Sequence, residues 1–159
     1  MAVKTKRPWL VYVVSVAIAL GAGLISSLVS TGKMGEYEAL RQPPLAPPGW
    51  LFPVVWTVLF VLMGIGAARV YLNSPEKFPF ALKLYVLQLV LNVLWTPLYF
   101  ALNLRLAAFV LLLILLAAVT AMTAEFRKVD RTAAYLQIPY IIWLVFAGYL
   151  NLATYILNG

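Results

Sequence analysis

The sequence predicts an all-α membrane protein, a bundle of five transmembrane helices, on three observations. Of its 159 residues, 64% are hydrophobic and 11% charged, against roughly half and a quarter in an ordinary soluble domain. Five separate apolar stretches are each long enough to cross a hydrocarbon core, which takes about 20 residues of helix. The stretches do not alternate apolar and polar residues as barrel strands do. The run Phe109-Val110-Leu111-Leu112-Leu113-Ile114-Leu115-Leu116 is typical.

The first span runs from about Pro8 to Ser30. Lys4, Lys6 and Arg7 before it also fit a secretory leader, but the apolar run exceeds the usual leader core. Ala19, Gly23 and Ser27 form a small-residue face suited to close helix packing, which favours retention. Residues 31–50 form the longest connection. The stretch Arg41-Gln42-Pro43-Pro44-Leu45-Ala46-Pro47-Pro48-Gly49-Trp50 is too rich in proline for helix and predicts a stiff, extended lid or a plain connector. The remaining spans run from about Leu51 to Leu72, Phe80 to Leu102, Leu106 to Glu125 and Ala133 to Leu157. They leave only short loops, so residues 1–159 read as one transmembrane domain.

Charge sets the expected topology. Lys4, Lys6, Arg7, Arg69, Lys77, Lys83, Arg127, Lys128 and Arg131 fall on one side of the membrane, and Lys33, Arg41 and Arg105 on the other. The positive-inside rule then puts the N-terminus in the cytoplasm and the first loop and C-terminus outside. Helical spans point to the inner membrane where a cell has two. The net charge of +7 is explained by this topology and gives no reason to expect nucleic acid.

Composition also limits the chemistry. There is no Cys and no His, and only five acidic residues, so disulfides, thiol nucleophiles, imidazole bases and metal cages of the common kinds are excluded. Arg69, Lys83, Arg105 and Glu125 sit at span ends, which argues against a proton pump or voltage sensor. No phosphate loop, dinucleotide fingerprint or internal repeat occurs. The proposed cholesterol pattern fails near the C-terminus, because no basic residue follows Leu152 and Tyr155.

Polar and aromatic residues inside the spans carry the functional signal. Tyr85, Gln88, Asn92, Trp95, Thr96 and Tyr99 share one broad face of the third span, at offsets of 3, 7, 10, 11 and 14 from Tyr85. Gln88 and Asn92 stand four apart, close enough to bond each other. Two readings fit: glue between helices, or a stripe facing a ligand. Tyr140, Trp143, Ala147, Leu150 and Asn151 repeat the theme in the fifth span, and Trp56 and Phe60 in the second. An interfacial aromatic belt explains Trp9 and Trp50 but suits Trp143, near mid-span, less well. Pro97 and Pro139 fall inside the third and fifth spans and deprive the carbonyls of Val93 and Tyr135 of their usual donors.

These residues resemble the tryptophan-rich sensory protein / translocator protein family (TspO, or peripheral benzodiazepine receptor, family), as a bacterial-type member. The match is strongest over Tyr37, Leu40, Pro43, Pro47-Pro48, Trp50, Phe52-Pro53, Trp56, Leu59-Phe60 and Met63-Gly64. It resumes at Gln88-Leu89, Asn92, Trp95-Thr96-Pro97, Phe100 and Arg105, and again at Pro139-Tyr140, Trp143, Phe146-Ala147 and Leu150-Asn151. The resemblance implies a five-helix bundle whose pocket opens towards the first loop, often assembled as a homodimer. It implies binding of porphyrins such as protoporphyrin IX or haem, or of other lipophilic ligands, with no obligatory cofactor. It implies a sensor, regulator or transporter, and for some bacterial members light-dependent porphyrin breakdown. The small-residue face of the first span also fits a further alternative, a structural or partner-binding membrane protein with helix faces as interfaces. The family's pocket maps onto Tyr37, Pro47, Trp56, Phe60, Asn92, Trp95, Leu98, Trp143, Ala147 and Leu150, with Gln88 a further polar anchor on the stripe. Lys33 or Arg41 would meet porphyrin propionates. A metal-free porphyrin is the better expectation than haem, since no His or Cys is present to ligate iron. Leu45 stands where a loop tryptophan is common, and Phe60 where tyrosine is. With the missing C-terminal pattern, these departures argue against sterol binding.

Overall fold

The computed structural model describes residues 5–159; Lys4, one of the basic residues counted above, lies outside them. Among the described residues all regular structure is helical. Helix α1 (Pro8–Ser30) starts on a proline whose fixed φ suits a first turn. A short helix, α2 (Met34–Ala39), lies in the first connection, which was expected to be without helix. The proline-rich stretch after it is irregular, as expected, with turns rather than one extended run.

Helix α3 (Leu51–Asn73) is the second span, and α4 (Phe80–Thr96) begins the third. Pro97 does not end that span. The chain widens into a π-helical turn over Pro97–Ala101, in which the Leu102 N–H donates to the Pro97 carbonyl at 2.9 Å. Helix α5 (Arg105–Val129) runs about a turn beyond its expected end. The fifth span is two helices, α6 (Arg131–Tyr135) and α7 (Ile138–Asn158). Pro139 therefore stands in the first turn of α7, where its missing N–H costs nothing, rather than within a helix. The break is held by buried Gln137, whose Nε2–H donates to the carbonyls of Ala133 at 3.2 Å and Leu62 at 3.5 Å.

Around the bundle α1 lies between α3 and α4, and α5 between α4 and α7. The α1–α3 pair is the most extensive, because small residues let the backbones meet. A Cβ on Gly64 would stand 2.6 Å from the Val16 Cα, and one on Gly23 2.6 Å from the Phe60 ring. Ala19 and Gly23 of the small-residue face of α1 thus pack within the chain, while Ser27 stays exposed. Five helices or helix pairs meet the length and apolarity of membrane spans: 8–30, 51–73, 80–101, 105–129 and 131–158. Their outer faces leave Val13, Ile18, Val54, Val58, Leu94, Leu113, Ile142 and Val145 exposed. In water such a girdle would be untenable; against lipid tails it is the expected surface of a multi-pass membrane protein.

An Arg69–Asp130 pair closes the end of the bundle opposite the first loop. Both guanidinium donors reach the carboxylate, Nε at 3.1 Å and Nη2 at 2.9 Å, and Asn73 adds a third bond at 2.8 Å. Asp130 also caps α6 by accepting from the Ala133 N–H at 2.8 Å. Burial works to raise its carboxyl pKa, but the Arg69 and Ala133 donors outweigh burial and hold it below the usual carboxylate range.

Candidate functional site

The helices enclose a cavity of about 540 Å³ in the half of the bundle nearest the first loop, within the usual size range of small-molecule sites. Three walls are aromatic. On α3, Phe52, Trp56 and Phe60 recur every four residues and so share one face. From α7 come Trp143, Ala147, Leu150 and Asn151. From α4 and its π turn come Asn92, Trp95, Thr96, Tyr99 and Phe100. The fourth wall is α1, through Leu20, Gly23, Leu24 and Ser27, and Leu112 and Leu115 of α5 complete the apolar lining. Met34 and Tyr37 of α2 sit over the open end.

The rings form two sets. Trp56 meets Trp143 edge-on with centroids 6.5 Å apart and Phe60 at 5.6 Å, and Phe52 links Trp143 at 5.9 Å to Tyr37 at 5.5 Å. Across the cavity Trp95 stacks on Tyr99 at 5.0 Å, and Phe100 stands edge-on to Trp95 at 6.1 Å. Such contacts fix rings relative to one another. The π turn sets this second group, since it brings Tyr99 and Phe100 to the wall that Trp95 starts.

A polar network underlies the aromatic walls. Asn92 Nδ2–H donates to the Tyr140 hydroxyl at 2.8 Å, and that hydroxyl donates to Gln88 Oε1 at 2.9 Å. The expected direct bond between Gln88 and Asn92 does not form; Tyr140 bridges them from α7. Gln88 Nε2–H reaches the Met63 sulfur at 3.7 Å. Nearer the first loop, Trp95 Nε1–H donates to Asn151 Oδ1 at 3.3 Å, and Asn151 Nδ2–H to the Arg105 carbonyl at 2.8 Å. Three residues of the lining carry a buried polar atom with no partner among the described residues: Ser26 Oγ, the Tyr37 hydroxyl and Trp143 Nε1. Burial, with Tyr99 beside it, pushes the Tyr37 phenol up to about 12, so it keeps its proton at neutral pH.

The lid is fastened by side chains as well as stiffened by prolines. Asn158 grips Arg41 at both backbone groups: Oδ1 accepts from the Arg41 N–H at 2.9 Å, and Nδ2–H donates to the Arg41 carbonyl at 3.1 Å. The Tyr149 hydroxyl donates to the Pro44 carbonyl at 2.7 Å, and Gln42 Nε2–H to the Tyr37 carbonyl at 2.5 Å.

Of the residues expected at the site, Tyr37, Trp56, Phe60, Asn92, Trp95, Trp143, Ala147 and Leu150 border the cavity. Pro47, Gln88 and Leu98 are not in its lining. Gln88 lies a turn deeper than Asn92 and is fully buried, consumed by the network. Leu98 packs against the Tyr37, Tyr99 and Ala108 cluster, because the π turn rotates it away. Pro47 stays in the half-buried lid. Lys33 is paired with Glu36 at 2.9 Å, and neither it nor Arg41 is in the lining. Sequence reasoning missed the α1 wall and Phe52. Phe52 was findable, since it continues the ladder of Trp56 and Phe60 one turn back. Among the described residues no Asp, Glu, Lys or Arg lines the cavity. The lining is therefore largely apolar and aromatic, with a few uncharged polar groups.

Known proteins share this pattern. The TspO/MBR family profile matches residues 13–157. The chain is 39% identical over 140 residues to Protein CrtK of Rhodobacter capsulatus, covering 86% of each. It is 36% identical over 124 residues to the tryptophan-rich protein TspO of Chlorobaculum tepidum, covering 77% of this chain and 78% of that one. It is 34% identical over 140 residues to the human translocator protein, covering 86% and 83%. A profile match over nearly the whole chain, with a bundle of five apolar spans around a tryptophan-walled cavity, places this protein in the TspO/MBR family of multi-pass membrane proteins.

Proposed function

We propose that the cavity binds a porphyrin or similar flat lipophilic molecule, and that the protein senses, regulates or moves that ligand. The observation that carries this reading is the pairing of opposed aromatic walls with three unpartnered donors on lining residues, Trp143 Nε1–H, Tyr37 O–H and Ser26 O–H. Indole and phenyl faces suit a large π-system. The free donors suit its oxygen or nitrogen acceptors, and an unpaired buried donor is costly until it finds one.

The test is a titration of the purified protein with protoporphyrin IX, followed by tryptophan quenching. Wild type saturates. Trp143→Ala and Asn92→Leu each weaken binding at least about fivefold, the effect expected of an anchor. Unchanged affinity in both variants, with the fold intact, would remove the assignment. A second reading, light-dependent breakdown of the bound porphyrin, is favoured by the three cavity tryptophans, Trp56, Trp95 and Trp143. It predicts a faster loss of porphyrin under light with protein than without, and slower loss in Trp143→Phe.

For topology we propose a cytoplasmic N-terminus and an outer-facing cavity mouth in the cell's inner membrane. The support is the gathering of Arg69, Lys77, Lys83, Arg127, Lys128 and Arg131 at one end of the bundle. A C-terminal reporter that works only in the cytoplasm should be silent.

A further inference from the structure

The bundle carries a second concavity, on its outer surface at the end away from the cavity mouth. It is lined by Thr120, Thr123, Ala124, Arg127, Lys128, Arg131 and Ile141. The charged residues stand at the end of α5 and the start of α6, and the others lie towards mid-span. Cations therefore cap a groove whose lower part is small and apolar.

The local charges do not cancel. Glu125 pairs with Lys128 at 2.5 Å, and Asp130 is taken by Arg69. Arg127 and Arg131 are exposed, and neither has a carboxylate partner among the described residues. Counting Arg69, Arg127, Lys128 and Arg131 against Glu125 and Asp130, four minus two leaves a local excess of +2. The threonine hydroxyls already donate to the carbonyls of Leu116 and Val119, each at 2.8 Å. The guanidinia remain as the unpaired charged donors, beside the Lys128 ammonium that Glu125 holds. They are the groups best shaped for two-pronged bonds to a phosphate. Below them Ala124 and Ile141 lead on to the exposed Ile138, Ile142 and Val145 of α7, an apolar track for an acyl chain.

From this we infer that the groove between α5 and α6–α7 is a binding site for one anionic phospholipid, its headgroup phosphate held by Arg127 and Arg131 and an acyl chain laid over Ile141. A zwitterionic lipid has the same tail but carries an ammonium group that this cationic rim repels. Basic pockets between transmembrane helices hold acidic headgroups in this way.

The experiment is native mass spectrometry of the detergent-solubilised protein, titrated in turn with phosphatidylglycerol, phosphatidylcholine and inorganic phosphate. Wild type should retain one phosphatidylglycerol about thirtyfold more readily than phosphatidylcholine, as expected for about 1 kcal/mol from each of Arg127 and Arg131 near an anionic headgroup. Inorganic phosphate should not displace it. Arg127→Ala/Arg131→Ala should reduce the preference to about twofold or less. Lys33→Ala/Arg41→Ala, the same charge change at the opposite end, should leave it intact. Arg127→Lys/Arg131→Lys keeps the charge, should fold even if the alanine pair does not, and should give an intermediate preference because lysine cannot form the two-pronged bond. Undiminished preference in both groove variants would overturn the site. An equal loss in the Lys33/Arg41 control would reduce it to net charge alone. Displacement by inorganic phosphate would make it a free-anion site and overturn the lipid assignment.

Discussion

Replacing Tyr140 by Phe removes one oxygen atom and tests whether the central network holds the bundle together. The hydroxyl is fully buried, accepts from Asn92 at 2.8 Å and donates to Gln88 at 2.9 Å. Within membrane proteins such bonds are worth about 0.6 kcal/mol on average and up to about 1.7. Two of them therefore give about 1–3 kcal/mol. The substitution also strands the Asn92 donor and the Gln88 acceptor, and a stranded buried group costs about 1–3 kcal/mol. Gln88 keeps its sulfur contact and Asn92 borders the cavity, so both relax in part. The expected total is about 2–4 kcal/mol. For a chain of this size that lowers Tm by about 4–16 °C. The assay is thermal unfolding in detergent micelles at one fixed scan rate. Tyr135→Phe, which alters an exposed tyrosine, serves as the control. A second variant sharpens the test. Gln88→Leu on top of Tyr140→Phe removes the stranded acceptor and should recover part of the loss, because removing both partners costs less than removing one. A Tyr140→Phe protein within about 2 °C of wild type, or a double variant that loses the sum of both singles, would refute the reasoning.

Other parts of the structure make equally definite predictions. Asn158→Ala frees both backbone groups of Arg41; losing two bonds of about 0.5–1.5 kcal/mol each should speed tryptic cleavage after Arg41 by about 5- to 150-fold, and an unchanged rate would mean the lid is not held there. Gly64→Ala drives a methyl into the Val16 backbone, so it should cost more than the gain of about 1 kcal/mol that alanine ordinarily brings to a helix; a more stable variant would show that α1 and α3 do not meet so closely. The Arg69–Asp130 clip predicts an acid limb. Folded Asp130 lies below its unfolded value, so the clip's contribution is complete above about pH 4 and drains away as pH falls through the lower, folded pKa. Asp130→Asn keeps the cap but loses the ion pair. It should therefore lower Tm at neutral pH and flatten the decline below about pH 4, and an identical acid profile would sink the clip.

The membrane class and the five spans, with ends good to about a turn, were legible in the order of residues alone. These follow from residue-by-residue transfer between water and hydrocarbon, a local property that needs no knowledge of neighbours. The same order also marked most of the cavity, because Trp56 with Phe60, Asn92 with Trp95, and Trp143 with Ala147 repeat at helical spacing. Which polar residue faces the cavity and which fastens helices was decided only by packing. Gln88 and Asn92 look alike on the helix wheel, yet Tyr140 reaches across from α7 and takes Gln88 out of the lining. The proline at 97 could be read as a break but not as a π turn, so the rotation that moves Leu98 off the wall and brings Tyr99 and Phe100 onto it was out of reach. The break at Leu136–Gln137 and the lid clamp of Asn158 on Arg41 depend on partners 75 and 117 residues away. In hydrocarbon every polar group must find a partner. The sequence states how many such groups there are, and only the tertiary arrangement decides which of them meet and which stay free for a ligand.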